Sequence, residues 1–184
     1  SLASSEQYPF EAMSGHSGSY GTDCWQVIAP LRGEAHGTRH LNAIVQDNWH
    51  KHWKEGRWPW RPVAFGDEQI TRFDKVIQVQ NERREGWSKT TGRADRYQLF
   101  NGQIGLVKAE HPFAKKGNPI YIKVGFDDHR DVLFSYSDGD VAGTLELAYA
   151  ITVHKAQGSQ FRHVLGVVPR HAGEFLSREL IYTA

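Results

Sequence analysis

Between Phe73 and Leu147 the chain reads as a series of short strands, while on either side it reads as strand followed by helix. "FDKVIQVQ", "LFNGQIGLV", "IYIKVGF" and "DVLFSY" are strand-like runs. The stretches "NERREGWSKTTGRADRYQ", "EHPFAKKGNP", "DDHR" and "SDGDVAG" separate them as polar turn material. Short strands at this spacing point to a small barrel or sandwich.

Before this stretch, "CWQVIAPLRG" carries a β-rich apolar run from Trp25 to Ala29 that stops at Pro30 and Gly33. That pattern predicts a buried strand feeding a loop. From Thr38 to His52 the period becomes helical, with Leu41, Ile44, Val45, Asn48 and Trp49 three or four apart and Thr38 as N-cap. After the β stretch, "LELAYAI" predicts a strand, followed by a helical turn at Val153 to Gln157. "HVLGVVP" predicts another buried strand, and "SRELIYTA" opens a helix capped by Ser177.

An α/β fold interrupted by a β module accounts for this order. The expected organisation is a Ser- and Gly-rich flexible lead-in over residues 1–23, an α/β domain made of residues 24–65 and 144–184, and an inserted β domain over residues 66–143. The chain ends at Ala184 inside the last predicted helix, which reads as a truncation.

Composition narrows the function classes. Formal net charge is only +1, so any nucleic-acid partner must be held by local patches. Cys24 is the single cysteine, which excludes a disulfide framework and a thiolate zinc site and suits a reducing, cytoplasmic setting. No apolar run reaches the roughly 18 to 20 residues a bilayer span requires. Ten histidines include the His50/His52 pair, which has no carboxylate or thiol at ligand spacing, so no metal site is expected.

The densest polar cluster is "AYAITVHKAQGSQF", Ala148 to Phe161. An apolar strand runs straight into Thr152, His154, Lys155, Gln157 and Gly158. In open α/β sheets ligands gather at the carboxyl ends of strands, where loops and helix starts present free N–H groups. Thr and His can hydrogen-bond a phosphate, Lys supplies charge, and Gly lets backbone approach. The alternative is structural: Thr152 caps the turn behind it and nothing more.

This stretch closely resembles motif V of superfamily 1 helicases in its RecD-like form. "VIAPLRGEAHGTRHLN" is similar to the motif IV region of that branch. "FDKVIQVQNERREGW" with "LFNGQIGLV" resembles the start of its inserted β domain, and "ELIYTA" the opening of motif VI. The order matches, and the stretches cover most of the chain beyond Cys24. The resemblance implies a RecA-like second motor domain, of the P-loop NTPase type, with an SH3-like barrel inserted.

It further implies that Thr152 and His154 face single-stranded DNA, with Lys155 nearby on its backbone. Arg32, Gln157, Gly158 and Gln160 would line one side of an ATP cleft, and Arg32 could grip a phosphate with both arms of its guanidinium. Family members often carry an acidic residue where this chain has Gln160, so any ribose contact here is made by a neutral amide. A solvated loop arginine is the structural alternative for Arg32.

ATP hydrolysis in such motors requires G-x-x-x-x-G-K-[ST] and an Mg²⁺-holding carboxylate. Neither is found. "GWSKTTG" has a Lys-Thr pair without the preceding Gly, and Asp67-Glu68 in "VAFGDEQ" follows motif IV where family order puts its counterpart first. The motif VI arginine finger would fall beyond Ala184. The expectation is therefore part of an ATP- and Mg²⁺-dependent DNA helicase or translocase that is inactive alone and works with an N-terminal RecA-like domain. Repair, recombination and conjugation enzymes share this motor. A non-catalytic nucleic-acid-binding or protein-interaction domain of RecA-like shape is the other reading. The segment 49–60, with four Trp among basic residues, could either stack unpaired bases or pack as a connector.

Overall fold

The computed structural model describes residues 22–33, 36–54, 64–111 and 120–168. The expected lead-in up to residue 21, Trp58 and Trp60, the "AKKG" turn and the Ser177 helix lie outside the described residues. The molecule is mixed α/β and divides into two compact units. One takes Ser1–Cys24 and Pro62–Glu146, the other Trp25–Arg61 and Leu147–Ala184.

The second, α/β unit is built on three parallel strands in the order β10-β1-β9. These are β1 (Trp25–Ala29), β9 (Ala150–Thr152) and β10 (His163–Gly166). Their register pairs Ala29 with Thr152 and Trp25 with His163. Val27, Ile28, Ala29, Ala150 and Ile151 are buried, as befits strands covered on both faces. β10 is a strand as its sequence predicts, but it is not buried: each of its residues is exposed, Val164 and Leu165 among them. It pairs with β1 at the sheet's edge.

Helix α1 (Thr38–Lys54) follows β1. Thr38 is its first helical residue, with its N–H donated to the Leu31 carbonyl at 2.9 Å. The buried stripe is not the apolar one its sequence suggests. Thr38, Asn42 and Gln46, four residues apart, are buried, while Ile44 is 43% exposed and Asn48 is exposed. The reason lies across the helix, in backbone groups that only a polar side chain can satisfy.

The β unit is one sheet in the order β4-β3-β7-β6-β5-β2-β8, antiparallel at each pairing from β4 through β2. Its strands are β2 (Lys75–Gln78), β3 (Glu82–Ser88), β4 (Ala94–Leu99), β5 (Ile104–His111), β6 (Tyr121–Phe126), β7 (Val132–Ser137) and β8 (Leu145–Leu147). Val76, Ile77, Leu106, Ile122, Val124, Phe126 and Phe134 form its core. A short helix α2 (Asp138–Val141) follows β7, closed at its start by a Ser137/Asp140 capping box.

Two segments depart from expectation. The stretch read as one polar turn folds as the β3–β4 hairpin, because its charges alternate along strands that leave β4 and one face of β3 in solvent. "LELAYAI" is not one strand but two: β8 belongs to the seven-stranded sheet and β9 to the parallel one. The Gly86 to Gly92 stretch ends β3 and turns toward β4, with Lys89 N–H bonded to Asp131 O at 2.8 Å. Asp67 and Glu68 sit in the tight turn closed by the Phe65–Ile70 bridge.

Candidate nucleic-acid and nucleotide interface

A chain that breaks from one strand into another leaves peptide groups without ladder partners, and each must be satisfied if buried. At the β8–β9 break Asn42 and Gln26 supply the partners. The Asn42 amide donates to Leu147 O and Ala150 O at 3.0 Å each, and its oxygen accepts from Ala150 N–H at 2.7 Å. The Gln26 amide donates to Ala148 O and Tyr149 O, again at 3.0 Å. Both side chains are at most 5% exposed. The Trp25 and Tyr149 rings stack beside them at 6.3 Å.

These bonds set the path of β9 and so the position of the turn behind it. Thr152 leaves the strand with extended backbone (φ −76°, ψ 156°) and starts the four-residue turn α3 (Val153–Ala156). Its hydroxyl oxygen accepts the Lys155 N–H at 3.4 Å. Val153 and Ala156 are buried and anchor the turn, which leaves His154 exposed and Lys155 half-buried. Gly158 ends the turn at φ +82°, a conformation that favours glycine, and nothing lies within 4 Å of where a Cβ would stand. Gln157 and Gln160 are exposed.

Arg32 comes from the neighbouring strand. Ala29, the last residue of β1, pairs in parallel with Thr152, so the Pro30–Gly33 loop and the Thr152–Gly158 segment leave the same edge of the sheet. Arg32 is exposed, and its carbonyl accepts Arg39 N–H at 3.2 Å, drawing the loop onto the start of α1. All seven residues singled out in the sequence thus lie at or just beyond the carboxyl ends of two adjacent parallel strands. The structural role weighed for Thr152 is present: it caps its turn, and its hydroxyl proton is left to donate.

Asn42 and Gln26 were missed by sequence reasoning. Their signal was faint: a polar residue four apart from two others on a helix, and a Gln inside an apolar strand. Among the described residues no cluster of three or more His, Cys, Asp or Glu could hold a metal ion, and no helix is long and apolar enough to cross a membrane.

Comparison with known proteins finds helicase relatives of this chain. Residues 147–184 match the UvrD-like helicase C-terminal domain family. The ATP-dependent RecD2 DNA helicase of Deinococcus radiodurans is 31% identical over 159 residues, covering 86% of this chain and 18% of that protein. The RecBCD enzyme subunit RecD of Haemophilus influenzae is 36% identical over 85 residues, covering 46% of this chain and 11% of that protein. A Pif1 helicase from Bacteroides, crystallised with ADP-AlF3 and single-stranded DNA, aligns over 90% of this chain and 38% of its own at a TM-score of 0.41 and 16% identity, too loosely to bear on the fold. The chain spans less than a fifth of the length of these two curated relatives. It is a relative of the RecD-like superfamily 1 helicases, with the UvrD-like helicase C-terminal domain at its residues 147–184.

Proposed function

We propose that the α/β unit is a RecA-like lobe of an ATP-driven DNA helicase and that the β unit is an SH3-like module inserted into it. In this reading Thr152, His154 and Lys155 contact single-stranded DNA. Arg32, Gln157, Gly158 and Gln160 line one side of a nucleotide cleft, completed by a second RecA-like lobe supplied outside these 184 residues. The observation that carries the reading is the shared edge: parallel pairing of Ala29 with Thr152 sends both segments out side by side. The short antiparallel strands of the β unit support its assignment. The relatives' names, one an ATP-dependent DNA helicase, support the partners.

The residues fit one flank of a nucleotide. Arg32 offers an exposed guanidinium, Gly158 an unobstructed backbone, and Gln160 an exposed amide for a hydroxyl. Hydrolysis of ATP held between the two lobes, with Mg²⁺ bound by residues outside this set, supplies the free energy of stepping. The protein's own part is transmission. Val153 and Ala156 pin a turn with Gln157 and Gly158 at one end and Thr152 and His154 at the other. A displacement at the nucleotide end therefore reaches the DNA end across four residues. Contacts made to phosphates carry no sequence information, so the grip suits movement along any strand.

The test is single-stranded DNA binding against salt. Thr152→Ala and His154→Ala are expected to weaken it several-fold, and Lys155→Ala to flatten the salt slope by about 0.7. Unchanged affinity and slope in all three would sink the assignment. The cap made by Thr152 favours a second reading, in which the cluster only holds its own turn. Thr152→Ser keeps the cap and the donor, so under the first reading it binds as the parent does. The chain by itself is expected to hydrolyse no ATP.

A further inference from the structure

The ladder between β1 and β9 ends where the two arms of the shared edge begin. It pairs the strands as far as Ala29 and Thr152, and the Arg32 loop and the Thr152–Gly158 segment run on beyond it. Helix α1 reaches both. Its first turn takes the loop: Thr38 N–H donates to Leu31 O at 2.9 Å, and Arg39 N–H donates to Arg32 O at 3.2 Å. These belong to the donors that a helix start cannot satisfy with its own carbonyls.

One turn further on, Asn42 takes the strand. Thr38 and Asn42 are both buried and lie on one face of α1, as a spacing of four residues requires. β9 is the outer strand of the parallel sheet, and Asn42 completes its edge as a neighbouring peptide would. Ala150 donates its N–H to the Asn42 oxygen at 2.7 Å, and its carbonyl accepts from the Asn42 amide at 3.0 Å. The same amide donates to Leu147 O at 3.0 Å, so three of its four bonding positions are used. An aliphatic side chain of that size would fill the space and make none of these bonds. Four residues of helix span about 6 Å, a short and stiff link between the loop and the strand.

We propose that Asn42 is a positioning residue for the ligand-binding edge: through one turn of α1 it ties β9 and the Thr152 turn to the Arg32 loop, so that the two arms are ordered and displaced together. The inference rests on the reading of this edge as a contact for single-stranded DNA and nucleotide. It assigns to α1, which touches neither ligand in that reading, the task of holding the two contacts at a set distance. A rigid element bonded to both arms is the physical route such coupling needs.

The experiment titrates the chain with a short oligothymidylate, read by fluorescence anisotropy. The parent is compared with Asn42→Ala and with Ile28→Ala, a control that empties buried space in the same sheet and removes no hydrogen bond. All are kept below their melting transitions, and circular dichroism checks folding. Asn42→Ala is expected to lower affinity roughly fivefold or more, and Ile28→Ala to bind as the parent does. Hydrogen exchange in the unaltered chain adds a measurement that needs no variant. Oligothymidylate should slow exchange at the Ala150 N–H and, together with it, at the Thr38 and Arg39 N–H. In Asn42→Ala the response at Thr38 and Arg39 should disappear. Equal affinities for a folded Asn42→Ala and for Ile28→Ala overturn the proposal. So does protection of Ala150 in the parent without Thr38 and Arg39, the result that stands if Asn42→Ala does not fold. A parent that binds no oligothymidylate rejects the reading of the edge and this coupling with it. Binding that depends on Thr152 and His154 but not on Asn42 keeps that reading and rejects the coupling alone.

Discussion

Both units bury polar side chains, but to different ends. In the α/β unit Asn42 and Gln26 bond to backbone where two strands part, and the segment they hold continues into Thr152 and the exposed turn behind it. In the β unit one run of polar side chains is bonded within itself. Tyr136 donates to Gln78 Oε1 at 3.0 Å, Gln78 donates to Glu82 at 3.0 Å, and Glu82 holds Arg84. Burial first, and the carboxylates of Glu82 and Asp140 beyond it, push the Tyr136 phenol far up, against the pull of Arg84. One arrangement exports order to a surface. The other is closed on itself and stabilises a core. A buried polar residue is thus informative about function only through what its partners are attached to.

The sharpest way to test the closed character of the β unit is pH. Lys75 is fully buried, and burial lowers its ammonium to about 7, opposed by Asp127, Asp23 and Cys24. A folded pKa below the unfolded one means that the unfolded chain binds more protons between them. Stability of this unit should therefore be lowest below about pH 7 and rise until about 10.5, by an amount on the order of 5 kcal/mol. Urea melts of the parent and of Lys75→Met across that window check it. The Met variant should lose most of the rise; an unchanged slope would mean that Lys75 is not the titrating group.

Asn42→Ala breaks the exporting arrangement. It removes three hydrogen bonds and leaves the Leu147 and Ala150 backbone groups buried without this partner, with an expected loss of about 2–4 kcal/mol. Hydrogen exchange at the Ala150 N–H should report it directly. The β-unit amides should keep their protection, and if they open to the same degree, the two units are not separable in this sense.

Gly86→Ala is the matching insult to the β unit. A Cβ there would stand 2.5 Å from Val132 Cγ1 and 2.7 Å from Phe134 Cε1. Overpacking of this kind costs about 1–3 kcal/mol. A melt should show it, and the parallel sheet should not respond.

Legibility in the sequence followed how openly a segment declares its surroundings. β1, β2, β5, β6 and β7 were readable because apolar residues run or alternate along them. The β3–β4 hairpin was not, because Arg83, Glu85, Arg96 and their neighbours carry charge on a face that meets solvent, and a solvated strand looks like a turn. β10 was readable as a strand from "HVLG", yet its exposure was not, since burial depends on what packs above it. The candidate site was half legible. An apolar strand ending in Thr152 announced the carboxyl edge, and Gly158 announced a turn. Nothing in "TRHLN" said that Asn42 would face a strand break more than a hundred residues away, because that bond exists only once β8 and β9 have gone to different sheets.

The smallest expected effect makes the finest distinction. Gly86 is constrained by neighbours, whereas Gly158 is constrained only by its own backbone, at φ +82° with open space around it. Gly158→Ala should therefore cost about 1 kcal/mol, all of it conformational, since an L residue pays about that much in the left-handed region. Asn enters that region more readily than Ala, so Gly158→Asn should be milder despite its larger side chain. The reverse order, Asn worse than Ala, would mean that something fills the space above Gly158 when the protein is folded. If both variants melt as the parent does but bind single-stranded DNA or nucleotide less well, the left-handed turn is kept for its position at the shared edge rather than for stability, which is the behaviour of the exporting arrangement and not of the closed one.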